Sequence, residues 1–319
     1  MSLQLNCISR GRDFLTRHKL VASFVICLFF TAIFPGDASA QLFKFGRKKD
    51  PLPVVFNRTP TQAELVQHIT NNNSKFRQLS SDLVVSLDGT PKLRGTMQLE
   101  LPRRLRIKAG VMGVSQFGVD VGSNNQDFWV WTKVNLPNQK PAIFHSSHEG
   151  FKNANSRVKQ AIPLEPVWLL EGLGLVQFER GDVHIGPVIT PEGFLRLITV
   201  RQTAGRQTAR ATLVHAKNGT IVQQALYVRQ TPQREQTISE GPPWSRIAYT
   251  NSTEYKYFPK KGAALPEKIE MYLTQNGQET KMVIEASDFQ FDALYGDPNQ
   301  MWSMPTPKGV QAIDMSKLR

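Results

Sequence analysis

Hydrophobic and polar positions change period along this chain, and each change predicts an element. Thr61-Gln62-Ala63-Glu64 has capping-box spacing, a hydroxyl and a carboxylate placed to satisfy the amides that an opening helix leaves free. Behind it Leu65, Ile69 and Phe76 recur at steps of four and seven among polar Gln67, His68, Asn71 and Asn72. This predicts an amphipathic helix from Gln62 to Phe76, with a narrow apolar stripe and His68 on the surface. From Ser81 the period becomes two: Leu83, Val85 and Leu87 alternate with Asp82, Val84 and Ser86, and Met97, Leu99 and Leu101 with Gln98 and Glu100. The same signature returns at Leu105 and Ile107, at Phe117, Val119 and Val121, and from Phe128 to Thr132. These are antiparallel-type strands. Asn218-Gly219 and Asn276-Gly277 each lie between β-rich runs and read as tight type I′ hairpin turns, whose central residues need positive φ.

One stretch breaks the alternation. From Ile162 to Leu175 the chain is apolar nearly all round, with Pro166 at a first helical position and Gly172 or Gly174 at the end. A helix of that composition must be covered on most sides. A long series of strands with two apolar helices predicts a mainly β fold with few helices: one strongly curved antiparallel sheet whose hollow the helices plug, as a single domain over residues 61–319.

The N-terminus reads differently. A basic stretch ending in Lys19, an apolar run from Leu20 to Phe34, and Ala38-Ser39-Ala40 ahead of Gln41 make residues 1–40 an expected cleaved secretory signal. At 1.5 Å per residue the apolar run reaches roughly 22 Å, short of a hydrocarbon core of about 30 Å. Cys27 has Phe24-Val25-Ile26 before it rather than a small residue, which disfavours a lipid anchor. Residues 41–60 mix Phe43, Phe45, Arg47, Lys48 and Lys49 with prolines and show no periodicity, so they read as a basic, Pro-rich tether. The expected product is exported, periplasmic and soluble.

Composition then narrows the chemistry. The formal charge is +13, and +11 once the signal is removed. Both cysteines, Cys7 and Cys27, fall within the signal, which excludes a disulfide framework, a Cys-ligated metal and a catalytic thiol in the remainder. His145-Ser146-Ser147-His148-Glu149 lacks the helical histidine pair of a zinc protease and reads as a loop. Gly172-Leu173-Gly174 lacks the third glycine of a dinucleotide loop, and there is no Gly-Lys-Ser/Thr phosphate loop and no Gly-x-Ser-x-Gly elbow. No catalytic residue, metal or cofactor is nominated. Arg104, Arg106 and Lys108 alternate with Leu105 and Ile107, as on one polar face of a sheet, and with export this argues against nucleic acid and for anionic headgroups or docking partners.

The order of these segments resembles the outer-membrane lipoprotein carriers and receptors, LolA and LolB. The helix is followed by Leu83-Val84-Val85-Ser86-Leu87 and Gly95-Thr96-Met97-Gln98-Leu99, and then by Pro102-Arg103-Arg104-Leu105-Arg106, similar to the family's Pro-x-x-Leu-Arg strand entry. Asn124 to Trp131 is similar to its turn and aromatic strand, and Met301 to Val310 to its terminus, so the likeness spans roughly Gln62 to Asp314. The resemblance implies an incomplete β-barrel with helices lidding an apolar cavity. It also implies acylated lipoprotein or lipid cargo, chaperoned between envelope membranes with inner- and outer-membrane transport partners and transient membrane-surface contact, and no enzymatic step.

In that family an arginine just before the strand-entry proline latches the lid. Leu101 holds that place here, leaving Arg103, Arg104 or Arg106 as latch candidates. Glu254 to Leu265, rich in Tyr, Lys and Pro, reads as an extra loop. Met97, Leu99, Trp129, Trp131, Trp168, Leu169 and Leu173 are the cavity candidates, with ordinary core packing the alternative for each. Trp129 and Trp131 share one face of their strand and Phe128 and Val130 the other, and which face is concave stays open. The competing function is a non-enzymatic envelope scaffold with a filled interior and a basic outer face; a hydrolase built from distant segments is the third reading.

Overall fold

A computed structural model describes residues 51–318 apart from 88–90, 133–140, 153–166, 204–205, 230–243 and 276–277. The expected signal, the start of the tether, Pro166 and the Asn276-Gly277 turn lie outside the described residues. Among those described, alternation along the chain has become alternation between the two faces of one large sheet.

The capping box opens helix α1 (Gln62–Ser74), with the Glu64 amide donating to the Thr61 hydroxyl and the Thr61 amide to the Glu64 carboxylate. Six strands follow: β1 (Gln78–Leu87), β2 (Leu93–Glu100), β3 (Arg104–Val111), β4 (Val114–Ser123), β5 (Asp127–Thr132) and β6 (Ala142–Ser147). Short helices α2 (His148–Lys152) and α3 (Val167–Gly172) come next. The second series is β7 (Val183–Ile189), β8 (Phe194–Thr203), β9 (Arg206–His215), β10 (Ile221–Arg229), β11 (Trp244–Phe258), β12 (Ala263–Gln275) and β13 (Gln278–Phe291). Helix α4 (Pro298–Met301), strand β14 (Gln311–Asp314) and a 3-10 turn (Met315–Lys317) complete the described elements.

Each series is an antiparallel meander, and they join where β1 pairs with β13, Leu83 opposite Ala286 and Val85 opposite Ile284. Strand β14 returns to pair with β6 in parallel, so the sheet is mixed, with β14 and β7 as its edges. The edges do not bond to each other, and the barrel is incomplete. Curvature has a local cause at Gly95, where a Cβ would lie 1.8 Å from the Lys108 carbonyl oxygen of the adjacent strand. Only a residue without a side chain lets β2 and β3 approach that closely.

The inner face is the one the helices cover. Leu79, Leu83, Met97, Leu99, Leu105 and Ile107 from the first series meet Ala248, Ile269, Met271 and Ile284 from the second around α3. Leu65 and Ile69 of α1 pack with Leu195, Leu197, Val214 and Ile221 of β8 to β10, so the predicted stripe is buried as expected. His68 is not a surface residue: it is half-buried against the Phe56 ring at 5.1 Å, and burial lowers its pKa. Phe56 and Val55 donate backbone hydrogen bonds of 2.9 and 2.7 Å to the Lys217 carbonyl, so the described end of the expected tether lies against the β9–β10 turn. Residues 254–265 are no inserted loop either. They continue β11 and begin β12, with Tyr257 paired to Ala264. His145 to Ser147 likewise belong to β6, and His148 opens α2.

The outer face of β2 to β5 is covered in turn by the segment after β13. Arg106 points there: its Nε lies 2.6 Å from Oδ1 of Asp120, one terminal nitrogen donates to Oδ2 at 2.7 Å, and the other donates to the Met301 and Ser303 carbonyls at 3.0 and 2.7 Å. Its guanidinium also stacks 4.9 Å above the Trp129 ring. Asn124 adds a bond to the Trp302 carbonyl. Replacing Arg106 with Met should leave the Asp120 charge buried without its partner and lower unfolding free energy by about 3–5 kcal/mol. Chemical denaturation measures this, and proteolysis within 293–304 should rise in parallel.

Candidate functional site

The candidate site is the hollow of the sheet with its plug, helix α3. Four apolar side chains of this stretch, Trp168, Leu170, Leu173 and Leu175, are buried in the inner core. The helix ends on a Schellman motif. The Gly174 amide donates to the Glu171 carbonyl at 2.8 Å and the Leu175 amide to the Leu170 carbonyl at 3.0 Å, with Gly174 at φ +79°.

A helix C-terminus buried inside a sheet leaves carbonyls that water cannot reach. A polar band on the inner face adds donors: Gln224 gives the Glu171 carbonyl a second hydrogen bond, and Ser252 donates to the Gly172 carbonyl at 3.3 Å. Thr212 and Thr250 lie buried in the same band. The Glu171 carboxylate pairs with Arg210 of β9, and both side chains are largely buried. Beyond the plug, residues 175–182 are fastened in the same manner. Asn73 of α1 donates to the Val176 carbonyl. Arg201 of β8 donates to the Gln177 carbonyl at 3.1 Å and grips Asp182 through two contacts of 2.7 Å. Burial pushes the Asp182 carboxyl up, but the Arg201 guanidinium and the Glu179 amide outweigh it and hold it below its ordinary value.

The cavity candidates divide between the faces. Met97 and Leu99 lie on the inner face against α3, Trp168 and Leu173 belong to the plug, and Leu169 packs against the same core. Trp129 and Trp131 lie on the outer face, in register with Gly122 and Asp120, while Phe128 and Val130 face inward. Trp129 therefore lies under the C-terminal segment beside Arg106, outside the hollow. None of the three latch candidates reaches the plug. Arg106 is committed to the outer face, Arg104 pairs with Glu100 at 2.8 Å, and Arg103 lies in the β2–β3 turn. The arginine that does reach the plug is Arg210.

Sequence reasoning passed over Arg210 because apolar Ala209, Ala211 and Leu213 make the opposite face of β9 look like the buried one. In this conformation the hollow is occupied by the chain itself. A cavity of about 50 Å³ opens where α1 meets Leu173, Gly174, Ile221 and Tyr255, with Leu52, Pro53 and Val55 along its rim. Ligand sites typically measure about 300 to 1,000 Å³, so this space admits no acyl chain while α3 stays in place. Among the described residues, no helix is long and apolar enough to cross a membrane.

No family model matches the chain, and no curated protein matches it. Solved structures that are similar include two LolA-type or lipoprotein-sorting chains. One is an outer-membrane lipoprotein-sorting protein domain from Vibrio parahaemolyticus, at 10% identity and TM-score 0.47, over 75% of this chain and 94% of that one. The other is a LolA superfamily protein from Nitrosomonas europaea, at 12% identity and TM-score 0.42, over 75% of this chain and 97% of that one.

Two outcomes follow from the fastening of the plug. Glu171→Ala strands a buried guanidinium and should cost about 3 kcal/mol in chemical denaturation, with amide exchange rising first in residues 168–178. Asp182, whose pKa is lowered on folding, contributes stability that is complete at neutral pH and is lost as pH falls below about 3.9 and through its folded value. Exchange in residues 175–182, corrected for intrinsic rates, should hold steady from about pH 7 to 5 and rise below about 4. Asp182→Asn should remove that acid step.

Proposed function

We propose that this protein is an exported, periplasmic carrier that shields the acyl chains of lipoproteins or lipids on the inner face of its incomplete barrel. It performs no bond chemistry. The conformation described is the unloaded one, and α3 stands where cargo would lie. The observation that carries this reading is an almost wholly apolar helix inside the hollow, fastened through a band of polar contacts and one ion pair rather than through sheet hydrogen bonds. The order of the segments, resembling the lipoprotein carriers, adds to it.

Magnitudes favour exchange. Four buried side chains of the plug are worth about 1.5–3 kcal/mol each, on the order of 6–12 kcal/mol together. An acyl chain of about sixteen carbons at ~0.8 kcal/mol per methylene is worth about 12 kcal/mol. Plug and cargo are matched closely enough for either to displace the other, as a protein that must both load and unload requires. Cargo handed between inner- and outer-membrane partners would then re-seat α3 on release.

One observation favours the second reading, a non-enzymatic envelope scaffold with a filled interior: the cavity of about 50 Å³. Mass spectrometry of lipid extracted from the protein purified out of its native envelope, with displacement of a fluorescent fatty acid, separates the two. The carrier should retain about one acyl species per chain, and Glu171→Ala should bind the probe faster by releasing α3. Absence of co-purified lipid together with absence of probe binding would refute the carrier and leave the scaffold.

A further inference from the structure

Strand β7, one edge of the sheet, carries a feature that the inner face does not require. Val183, Ile185, Val188 and Ile189 are 60%, 54%, 51% and 57% exposed, an unusual concentration of aliphatic surface on one strand. Register places the first three on the outer face beside β8: Val183 opposite Val200, Ile185 opposite Ile198 and Val188 opposite Arg196. The rows continue into β9 as Ala209 and Ala211. The outer face here is apolar because the inner face of these strands carries Thr199, Arg201, Arg210 and Thr212 for the plug. On β2 and β3, away from this edge, outer positions are polar, Thr96 and Lys108 among them.

An exposed edge strand ordinarily invites another strand. This one is obstructed. Gln62 of α1 donates to the His184 and Gly186 carbonyls at 2.8 and 3.2 Å, Pro187 has no amide to offer, and the register shifts between Ile185 and Val188. Pairing with a second copy is thereby blocked, while the aliphatic side chains stay open on the face. Arg180 and Arg196 flank them, exposed and without a carboxylate partner among the described residues. Glu179 is neutralised by Arg201 at 3.0 Å, while Glu192, at the β7–β8 turn, keeps its charge, its pKa lowered by the Thr190 hydroxyl.

We infer that the outer face of β7 and β8 is a docking surface for an anionic phospholipid bilayer, with Val183, Ile185 and Val188 entering the headgroup boundary and Arg180 and Arg196 contacting lipid phosphates. Shallow aliphatic insertion beside arginines gives reversible attachment that weakens with salt. The inference goes beyond the carrier reading and stands without it, since vesicle binding and acyl binding are separate measurements.

Flotation of the full mature chain with phosphatidylglycerol-containing vesicles tests it, with phosphatidylcholine vesicles as the neutral comparison. The wild type should float with the anionic vesicles, less so as salt rises. Ile185→Glu should reduce partitioning by about tenfold, whereas Thr96→Glu, which adds the same charge to the outer face on β2, away from this patch, should not. If Ile185→Glu melts early, Arg180→Ser with Arg196→Ser reads the same surface without touching the aliphatic residues and should give a comparable loss. Equal flotation with neutral vesicles, unchanged binding by the β7 and arginine variants, or a wild type that stays with the soluble fraction as a dimer dispersed by Ile185→Glu would each overturn the inference.

Discussion

An unclosed sheet with one apolar face cannot leave that face wet, and most of this architecture follows from how the face is covered. A closed barrel would bury it against itself; here β7 and β14 end apart, so the chain must supply its own filling. Helix α1 covers β8 to β10 with a two-residue stripe, and α3 covers the join of the two meanders. The second solution brings a cost of its own, since a short helix ending inside a sheet delivers unsatisfied carbonyls into a dry space. The polar band of Gln224 and Ser252, with Arg210 for the Glu171 side chain, is the structural answer.

Two buried arginines divide the work between the faces. Arg106 and Asp120 fix the C-terminal segment across the outer face, where Trp129 lies beneath the guanidinium. Arg210 and Glu171 fix the plug on the inner face. The difference lies in what each pair holds. The first anchors a segment that also bonds to Gln98 and Asn124 and continues into β14. The second anchors a single short helix that lies inside the hollow. One type of interaction thus serves two settings, a strap across the outer face and a helix inside the hollow.

The polar band has a consequence on the far side of the sheet. Strands alternate, so reserving the inner positions of β8 and β9 for Thr199, Arg210 and Thr212 sends Val200, Ala209 and Ala211 outward. With β7 adding Val183 and Ile185, the reversed pattern yields an apolar outer patch along the β7 edge of the sheet.

Read alone, the sequence determined the elements whose signals are local. The capping box placed α1, the period of two placed strands β1 to β5, and the apolar stretch ending at Gly174 placed α3, because each rests on contacts between near neighbours in the chain. It also determined that Trp129 and Trp131 share a face, but not which one. That choice, and the reversal of β9, belonged to tertiary structure, since inside and outside are defined only when β1 meets β13 across some two hundred residues and the plug settles on one side. The same holds for the arginines: Arg106 and Arg210 are alike in sequence, and only the packing of a distant segment over each decides whether it secures the strap or holds the plug.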